Sequence, residues 1–402
     1  MKIFSIFGII DIAEKEYLGD KRHKEDCIMK VLMLSVKAGY GHHSTAKAII
    51  EYFEKNGHKC EMLDIFDYIN HRIGNYINDS YLLMTKYIPK AYGKAYGMLA
   101  QKDEPYDRLS LMAMFSRFVS KKLSKYVSDY NPDFMIGTHS YAGICMSILT
   151  ETGVTSCPTL GIVTDYTVHP LWESTFLDYY IIPDALLTSE MQQKGISKDK
   201  ILPFGIPVRE QFARKIDKKE AREKLGIADI PTVLVMMGSM GYGNIKPQLE
   251  AIDQSPHEFQ VICVCGSNKK LKEYVDETEW TKDFYAYGFT DEVDIMMDAS
   301  DVIITKPGGL TTSEALSKGI PMIISNPIPG QEDRNLNFLV NTGAAIIVND
   351  NFAVQDALNM LFTCPWRIRI MEESVSHIGK PNATADLYDF AVSKVAAKET
   401  VI

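Results

Sequence analysis

The chain has 402 residues, 46% of them hydrophobic, a formal net charge of −9 and seven cysteines. That length and apolar content can fill more than one core, so two domains are expected, and the acidic balance argues against a nucleic-acid partner, whose phosphates attract a basic face. The cysteines lack zinc or redox spacing, and the close pair Cys263 and Cys265 fits buried free thiols in a reducing compartment.

Met1 to Ile10 is apolar but short and runs into Asp11 and Glu14 instead of a small-residue cleavage site, a poor signal peptide. No apolar run approaches the roughly 20 residues that span a bilayer, so a soluble or peripheral protein is expected. Residues 1–29 read as an N-terminal extension. Lys30 to Val36 is the first strand, followed by the loop Lys37 to His43 and a helical pattern from Ser44 to Asn56. Further strands are expected at Cys60 to Asp64, Phe134 to Thr138, Thr159 to Val163 and Tyr179 to Ile182. A second series runs through Thr232 to Met237, Gln260 to Cys265, Phe284 to Tyr287, Val302 to Thr305, Met322 to Ser325 and Ala345 to Val348. Strands alternating with helical or loop material argue for parallel sheets covered on both faces, that is, an α/β chain of two Rossmann-like halves. The hinge is expected near Phe204 to Arg209, giving domains 30–205 and 206–370 and a C-terminal helical segment 371–402 that packs back on the N-terminal domain. Doubly wound domains place ligands at the carboxyl ends of their strands.

Within the first domain, the loop from Ala38 to Ser44 carries the adjacent His42 and His43. Histidine titrates near neutrality and can take a proton from an attacking alcohol, although His42 can equally cap or pack the loop. On the helix that follows, the two rings would point about a quarter-turn apart, so at most one faces a reacting centre. His139 follows the third strand. The run from Thr164 to Trp172, TDYTVHPLW, follows the fourth, so Asp165 either orients a histidine or serves as base. His169 and Trp172 meet an acceptor there, or Trp172 packs into the core. Between Ile65 and Tyr126 lie Tyr81, Tyr87, Tyr92, Tyr96, Met112, Met114, Phe115, Arg117 and Phe118, then Lys121, Lys122 and Lys125. Such a stripe fits either the headgroup region of an anionic membrane or a helix face packed on a sheet.

The second domain carries the most specific signal, Thr305 to Asn335. The strand Val302 to Thr305 enters a turn with Pro307, Gly308 and Gly309, and Thr311 opens a helix carrying Glu314. Glycines let backbone N–H groups approach an anion, and a helix N-terminus adds positive potential where a pyrophosphate can sit. A carboxylate one turn into the helix can accept hydrogen bonds from two ribose hydroxyls, although Thr311 and Glu314 also have capping-box spacing. After the next strand, Gln331 and Glu332 can reach sugar hydroxyls. Gly238 and Ser239, after the first strand of this half, can meet a diphosphate from the opposite side. No DxD motif appears in a suitable loop, so no metal and no cofactor are expected, and a leaving diphosphate would be stabilised by helix dipole and N–H donors.

This long pattern resembles the UDP-binding signature of the glycosyltransferase family that contains plant monogalactosyldiacylglycerol synthases, bacterial processive diacylglycerol glucosyltransferases and the peptidoglycan GlcNAc transferase. The resemblance covers about Lys30 to Ala391 and implies the GT-B architecture, two Rossmann-like domains facing across a cleft. It implies that Glu314 binds ribose, that Gly308, Gly309, Leu310, Thr311 and Thr312 bind the diphosphate, that Gln331 and Glu332 bind the donor hexose, and that Phe289 packs on uracil, core packing being its alternative. The loop also resembles the GGGH loop of the galactolipid synthases, whose histidine falls on His42, with Gly41 beside it on the donor and Tyr40 departing from the all-glycine pattern. His42 is thus expected as general base, with His43, His139, His169 and Trp172 toward the acceptor. The activity implied is inverting transfer of a hexose from a UDP-hexose, UDP-glucose first and UDP-galactose second, to diacylglycerol or glycosyl-diacylglycerol at an anionic membrane surface on the cytoplasmic side. GlcNAc transfer to a polyprenyl-linked precursor and a non-catalytic UDP-sugar sensor are the rivals.

Overall fold

The computed structural model describes residues 28–37, 41–72, 74, 94, 111–237 and 245–399. Residues 1–27, Tyr40, Gly238, Ser239 and the tyrosines Tyr81, Tyr87, Tyr92 and Tyr96 lie outside the described residues, as does the side chain of Met112.

Six parallel strands build the N-terminal lobe: β1 (Lys30–Ser35), β2 (Lys59–Asp64), β3 (Phe134–Gly137), β4 (Thr159–Ile162), β5 (Tyr179–Ile181) and β6 (Ile201–Leu202), in the order β2-β1-β3-β4-β5-β6. Strand alternation shows why both faces are covered. In β1, Leu32 and Leu34 enter one core, whereas Val31 and Met33 enter the core on the opposite face. The helices that matter below are α1 (Gly41–Lys55), α2 (Leu111–Tyr130) and α3 (Ser140–Glu151).

The C-terminal lobe repeats the architecture with β7 (Thr232–Met236), β8 (Gln260–Val264), β9 (Phe284–Tyr287), β10 (Val302–Thr305), β11 (Met322–Ile324) and β12 (Ala345–Ile347), in the order β12-β11-β10-β7-β8-β9. Its helices include α4 (Gly309–Lys318), α5 (Gln331–Asn341), α6 (Pro365–Ile378) and α7 (Ala383–Glu399). Each sheet changes winding direction once, between β1 and β3 in the first and between β7 and β10 in the second. Loops diverge at such switch points and leave a crevice at the strand ends, where ligands bind. Those are the ends that carry His42, His139 and the Pro307-Gly308-Gly309 turn.

The chain crosses between lobes twice. Gly205 lies on the first crossing at φ +97°, and a Cβ there would sit 2.3 Å from the Cβ of Lys380 on the second, so only glycine lets the two segments pass. Beyond Lys380, α7 returns to the N-terminal lobe and buries Leu387 and Ala391 against Val31, Ile49 and Phe53.

Three local expectations are revised. The helix after β1 begins at Gly41 and not Ser44, so His42 and His43 occupy its first turn. The helix after β10 begins at Gly309 and not Thr311. Glu314 therefore lies too deep in the helix to complete a capping box, and Gly308 at the N-cap supplies no side-chain bond. The two-residue edge strand β6 was too short to show as a pattern.

Candidate active site between the lobes

On the C-terminal side, Thr312 is the residue that closes the ladder of α4, donating its N–H to Gly308 O at 3.0 Å. The N–H groups of Gly309, Leu310 and Thr311 precede it and have no acceptor inside the helix. With no side-chain cap, this end is suited to an anion. Thr312 is fully buried, and its Oγ1 has no hydrogen-bond partner among the described residues.

Glu314 shares the half-buried stripe of α4 with Leu310, Thr311 and Ser317, while Ala315 and Leu316 turn into the core. It therefore does not point into the hydrophobic interior. Desolvation pushes its carboxyl up to about 8, with Arg209 of the first crossing pulling the other way. No hydrogen bond to that carboxyl is found among the described residues. A carboxyl without a donor among the described residues, five residues beyond the first residue of a bare helix end, can accept from paired hydroxyls. Phe289, after β9, is 77% exposed, so core packing does not hold it.

Gln331 and Glu332 differ from each other. Glu332 is buried, with Oε1 on Lys306 Nζ at 2.7 Å and Oε2 accepting from Ile328 N at 2.7 Å. Both its oxygens are thus spent bracing the turn that carries the glycines, and a sugar contact would have to displace that brace. Gln331 opens α5 and donates from Nε2 to Asp165 of the opposite lobe.

On the N-terminal side, Nδ1 of His42 lies 2.8 Å from Thr138 O and 3.0 Å from Thr164 Oγ1. A carbonyl only accepts, so the network assigns the proton to Nδ1 and leaves the lone pair on Nε2. Burial drives the ring's pKa down to about 4, the Thr138 carbonyl opposing it and His43 adding to it, so the ring is neutral at pH 7. A neutral imidazole held by one nitrogen is the form a general base needs.

The neighbouring candidates have structural duties. His43 turns away from His42, with Nε2 3.0 Å from Asp64 Oδ2, and Asp64 also accepts from Lys37 N and caps the short helix after β2. His139 packs edge-on against His42 with ring centroids 4.8 Å apart, and its Nδ1 accepts from Tyr141 N to cap α3. His169 caps the following 3-10 turn through Leu171 N, and desolvation lowers its pKa to about 4, with the charges of Arg334, His42 and Lys194 acting the same way. Trp172 corrects an expectation. It is 3% exposed in the N-terminal core, lying where a Cβ on Gly161 would be 2.6 Å from its ring, so it is a packing residue and not an acceptor contact.

Of the two expectations for Asp165, orienting a histidine is not met. It does not orient His42, because one carboxylate oxygen accepts from Asn335 Nδ2 at 2.9 Å and the other from Gln331. Burial raises its pKa to about 6, and the two amides restrain the rise. Asn335 itself, fully buried, also donates to Pro307 O at 2.9 Å and accepts from Tyr166 N at 2.8 Å. Tyr166 leaves its own lobe for the C-terminal core, where it meets Ser313 Oγ at 3.0 Å and the ring of Phe338 at 4.8 Å. Thr138, Thr164 and Asn335 were missed from sequence. The one available signal was that Asn335 stands four residues after Gln331, on the same side of α5.

Comparison with known proteins bears on the family and the fold. Residues 42–208 match the family described as monogalactosyldiacylglycerol (MGDG) synthase, and residues 217–378 match glycosyl transferases group 1. The processive diacylglycerol beta-glucosyltransferase of Bacillus licheniformis is 26% identical over 366 residues, covering 88% of this chain and 92% of the relative. Among solved structures, MurG of Acinetobacter baumannii superposes with a TM-score of 0.59 at 16% identity, covering 91% of this chain and 99% of that one. A UDP-GlcNAc 2-epimerase from Neisseria meningitidis reaches 0.55 at 14% identity, covering 91% and 100%, so the fold by itself does not select an activity. Architecture and sequence matches agree: the chain is a GT-B glycosyltransferase whose N-terminal half matches the monogalactosyldiacylglycerol synthase family and whose C-terminal half matches glycosyl transferases group 1.

Proposed function

We propose that this protein transfers glucose from UDP-glucose to the primary hydroxyl of diacylglycerol, with inversion at the anomeric carbon. The observation that carries the reading is the pairing across the crevice of His42, neutral and with Nε2 unprotonated, and the uncapped end of α4 with Glu314. The diphosphate takes the N–H groups of Gly309, Leu310 and Thr311, Thr312 Oγ1 is available to it, and the ribose hydroxyls donate to Glu314. Gln331 meets the hexose. The lipid hydroxyl attacks C1 from the face opposite the diphosphate, its proton passes to His42 Nε2, the C1–O bond to phosphate breaks, and UDP departs with the electron pair. Positive potential at the helix end stabilises the charge that develops on the leaving oxygen.

Access to the lipid is assigned to α2, where Met114, Phe115 and Phe118 are exposed large apolar side chains. Arg117, Lys121, Lys122 and Lys125 accompany them, and Lys122 Nζ lies 5.8 Å from the Phe118 ring centroid. Cations beside exposed aromatics suit an anionic leaflet, which supports a location at the inner face of the cell membrane. No helix among the described residues is long and apolar enough to cross a membrane. The test incubates purified protein with diacylglycerol vesicles and labelled UDP-glucose, UDP-galactose or UDP-GlcNAc. Label from UDP-glucose in glucosyl-diacylglycerol is expected, and chromatography of the product counts the sugars added. Label entering lipid only from one of the other two donors overturns the glucose assignment. Binding of UDP-sugar without transfer to any lipid overturns the enzymatic reading.

A further inference from the structure

One residue of the N-terminal lobe touches both halves of the site. Thr164 ends the segment after β4. Its Oγ1 lies 3.0 Å from His42 Nδ1, beside the Thr138 carbonyl on the same nitrogen. Its carbonyl oxygen is pressed on the first residue of α4, so closely that a Cβ on Gly309 would fall 1.9 Å from it. The next two residues leave Thr164 little freedom. Asp165 is held by Asn335 and Gln331, and Tyr166 by Asn335, Ser313 and Phe338, all on the C-terminal lobe. Ser313 in turn donates to Gly309 O at 2.8 Å. The hydroxyl that steadies the histidine is therefore attached to backbone fixed on the helix that receives the diphosphate.

We propose that Thr164 is a positioning residue that transmits the seating of α4 to the ring of His42, so that the base is aligned when the donor occupies the opposite lobe. The inference rests on the function proposed above. Two hydrogen-bond acceptors on Nδ1 fix the ring plane more tightly than one. The second acceptor belongs to a segment bolted to the donor lobe, whereas Thr138 belongs to the acceptor lobe. Displacement of α4 on ligand binding moves the Thr164 carbonyl, because Gly309 leaves no gap to absorb it.

The test compares Thr164→Val, which keeps the shape and loses Oγ1, with Thr164→Ser, which keeps the hydroxyl. UDP affinity is measured by calorimetry, and the ring nitrogens of His42 are followed by NMR in protein carrying 15N-histidine. In the wild type, UDP shifts the His42 resonances. In Thr164→Val, UDP binds with unchanged affinity but the His42 shift is lost, and Thr164→Ser restores it. In turnover, Thr164→Val lowers kcat about 10- to 100-fold at unchanged donor KM, the size expected for a misoriented catalytic group. In a His42→Ala background the same change has no further effect. A Thr164→Val protein whose His42 still responds to UDP, or a further loss of rate in the His42→Ala background, overturns the inference alone. Failure of the wild type to bind UDP overturns the functional reading instead.

Discussion

The two flanks of the crevice are finished in opposite ways. On the C-terminal flank, polar groups stand without hydrogen-bond partners among the described residues: the first N–H groups of α4, the Thr312 hydroxyl and the Glu314 carboxyl. On the N-terminal flank every histidine is engaged, His42 with Thr138 and Thr164, His43 with Asp64, His139 with Tyr141 and His169 with Leu171. Unmet hydrogen-bonding capacity is costly in a buried place and is retained where a ligand will meet it. Engaged side chains instead fix a tautomer and a direction. On the function proposed above, one flank is completed by a donor molecule and the other holds a single proton acceptor still.

The sharpest way to break the comparison is His42→Ala. Turnover should fall by about 10²- to 10⁴-fold while UDP affinity by calorimetry stays put, because the base serves only the transition state. Parallel losses in rate and UDP affinity would remove the division of labour. Trp172→Ala tests the opposite claim, that this aromatic belongs to the core. It should cost about 3–5 kcal/mol in denaturant unfolding, with the lipid KM of the folded fraction unchanged.

Glu314→Gln should weaken UDP binding by about 10- to 100-fold, the worth of hydrogen bonds to a charged acceptor. Its pH dependence carries a definite sign. The carboxyl of the empty site titrates near 8, and hydroxyls donating to it favour the ionised form, so binding expels a proton near pH 7. UDP affinity should rise with pH up to about 8 and then level, whereas Glu314→Gln should lose the slope; calorimetry in buffers of different ionisation enthalpy counts the proton. The same raised pKa makes ionisation unfavourable in the empty fold. That stability is fully present below the unfolded carboxyl's pKa and is lost as pH rises toward 8, so Glu314→Gln should gain on the wild type across that interval.

The smallest effect concerns the surface. Replacing Met114 and Phe118 by serine should reduce sedimentation with anionic vesicles and raise the apparent KM for diacylglycerol in vesicles. Turnover of a short-chain, water-soluble acceptor should be untouched, and an equal loss with both acceptors would move the lipid path elsewhere.

The strands and the two-sheet architecture were legible because parallel strands buried on both faces leave continuous apolar runs, as in β1, β7 and β10. The turn at Gly308 and Gly309 with Glu314 behind it was legible because its parts lie within one turn-and-helix unit and communicate through backbone geometry. Where the helices started was misjudged on both flanks. At α4 the N-cap is Gly308, which lacks the side chain by which a helix start is recognised, and that bareness is what suits α4 to an anion. Trp172, Glu332 and Asp165 fall in segments that read as open loops in sequence, yet a core, a lysine and an opposing lobe claim them.

Sequence by itself determined the two parallel sheets, the glycine turn that enters a helix carrying a carboxylate, and a histidine next to the first glycine loop, because each is a local pattern of apolar period, glycine and charge. Only the tertiary structure decided which nitrogen of His42 is free, which carboxylates are already spent, and that Thr164, Tyr166 and Asn335 join the lobes. Those outcomes depend on contacts between residues 26 to 170 positions apart, and no spacing along the chain encodes them.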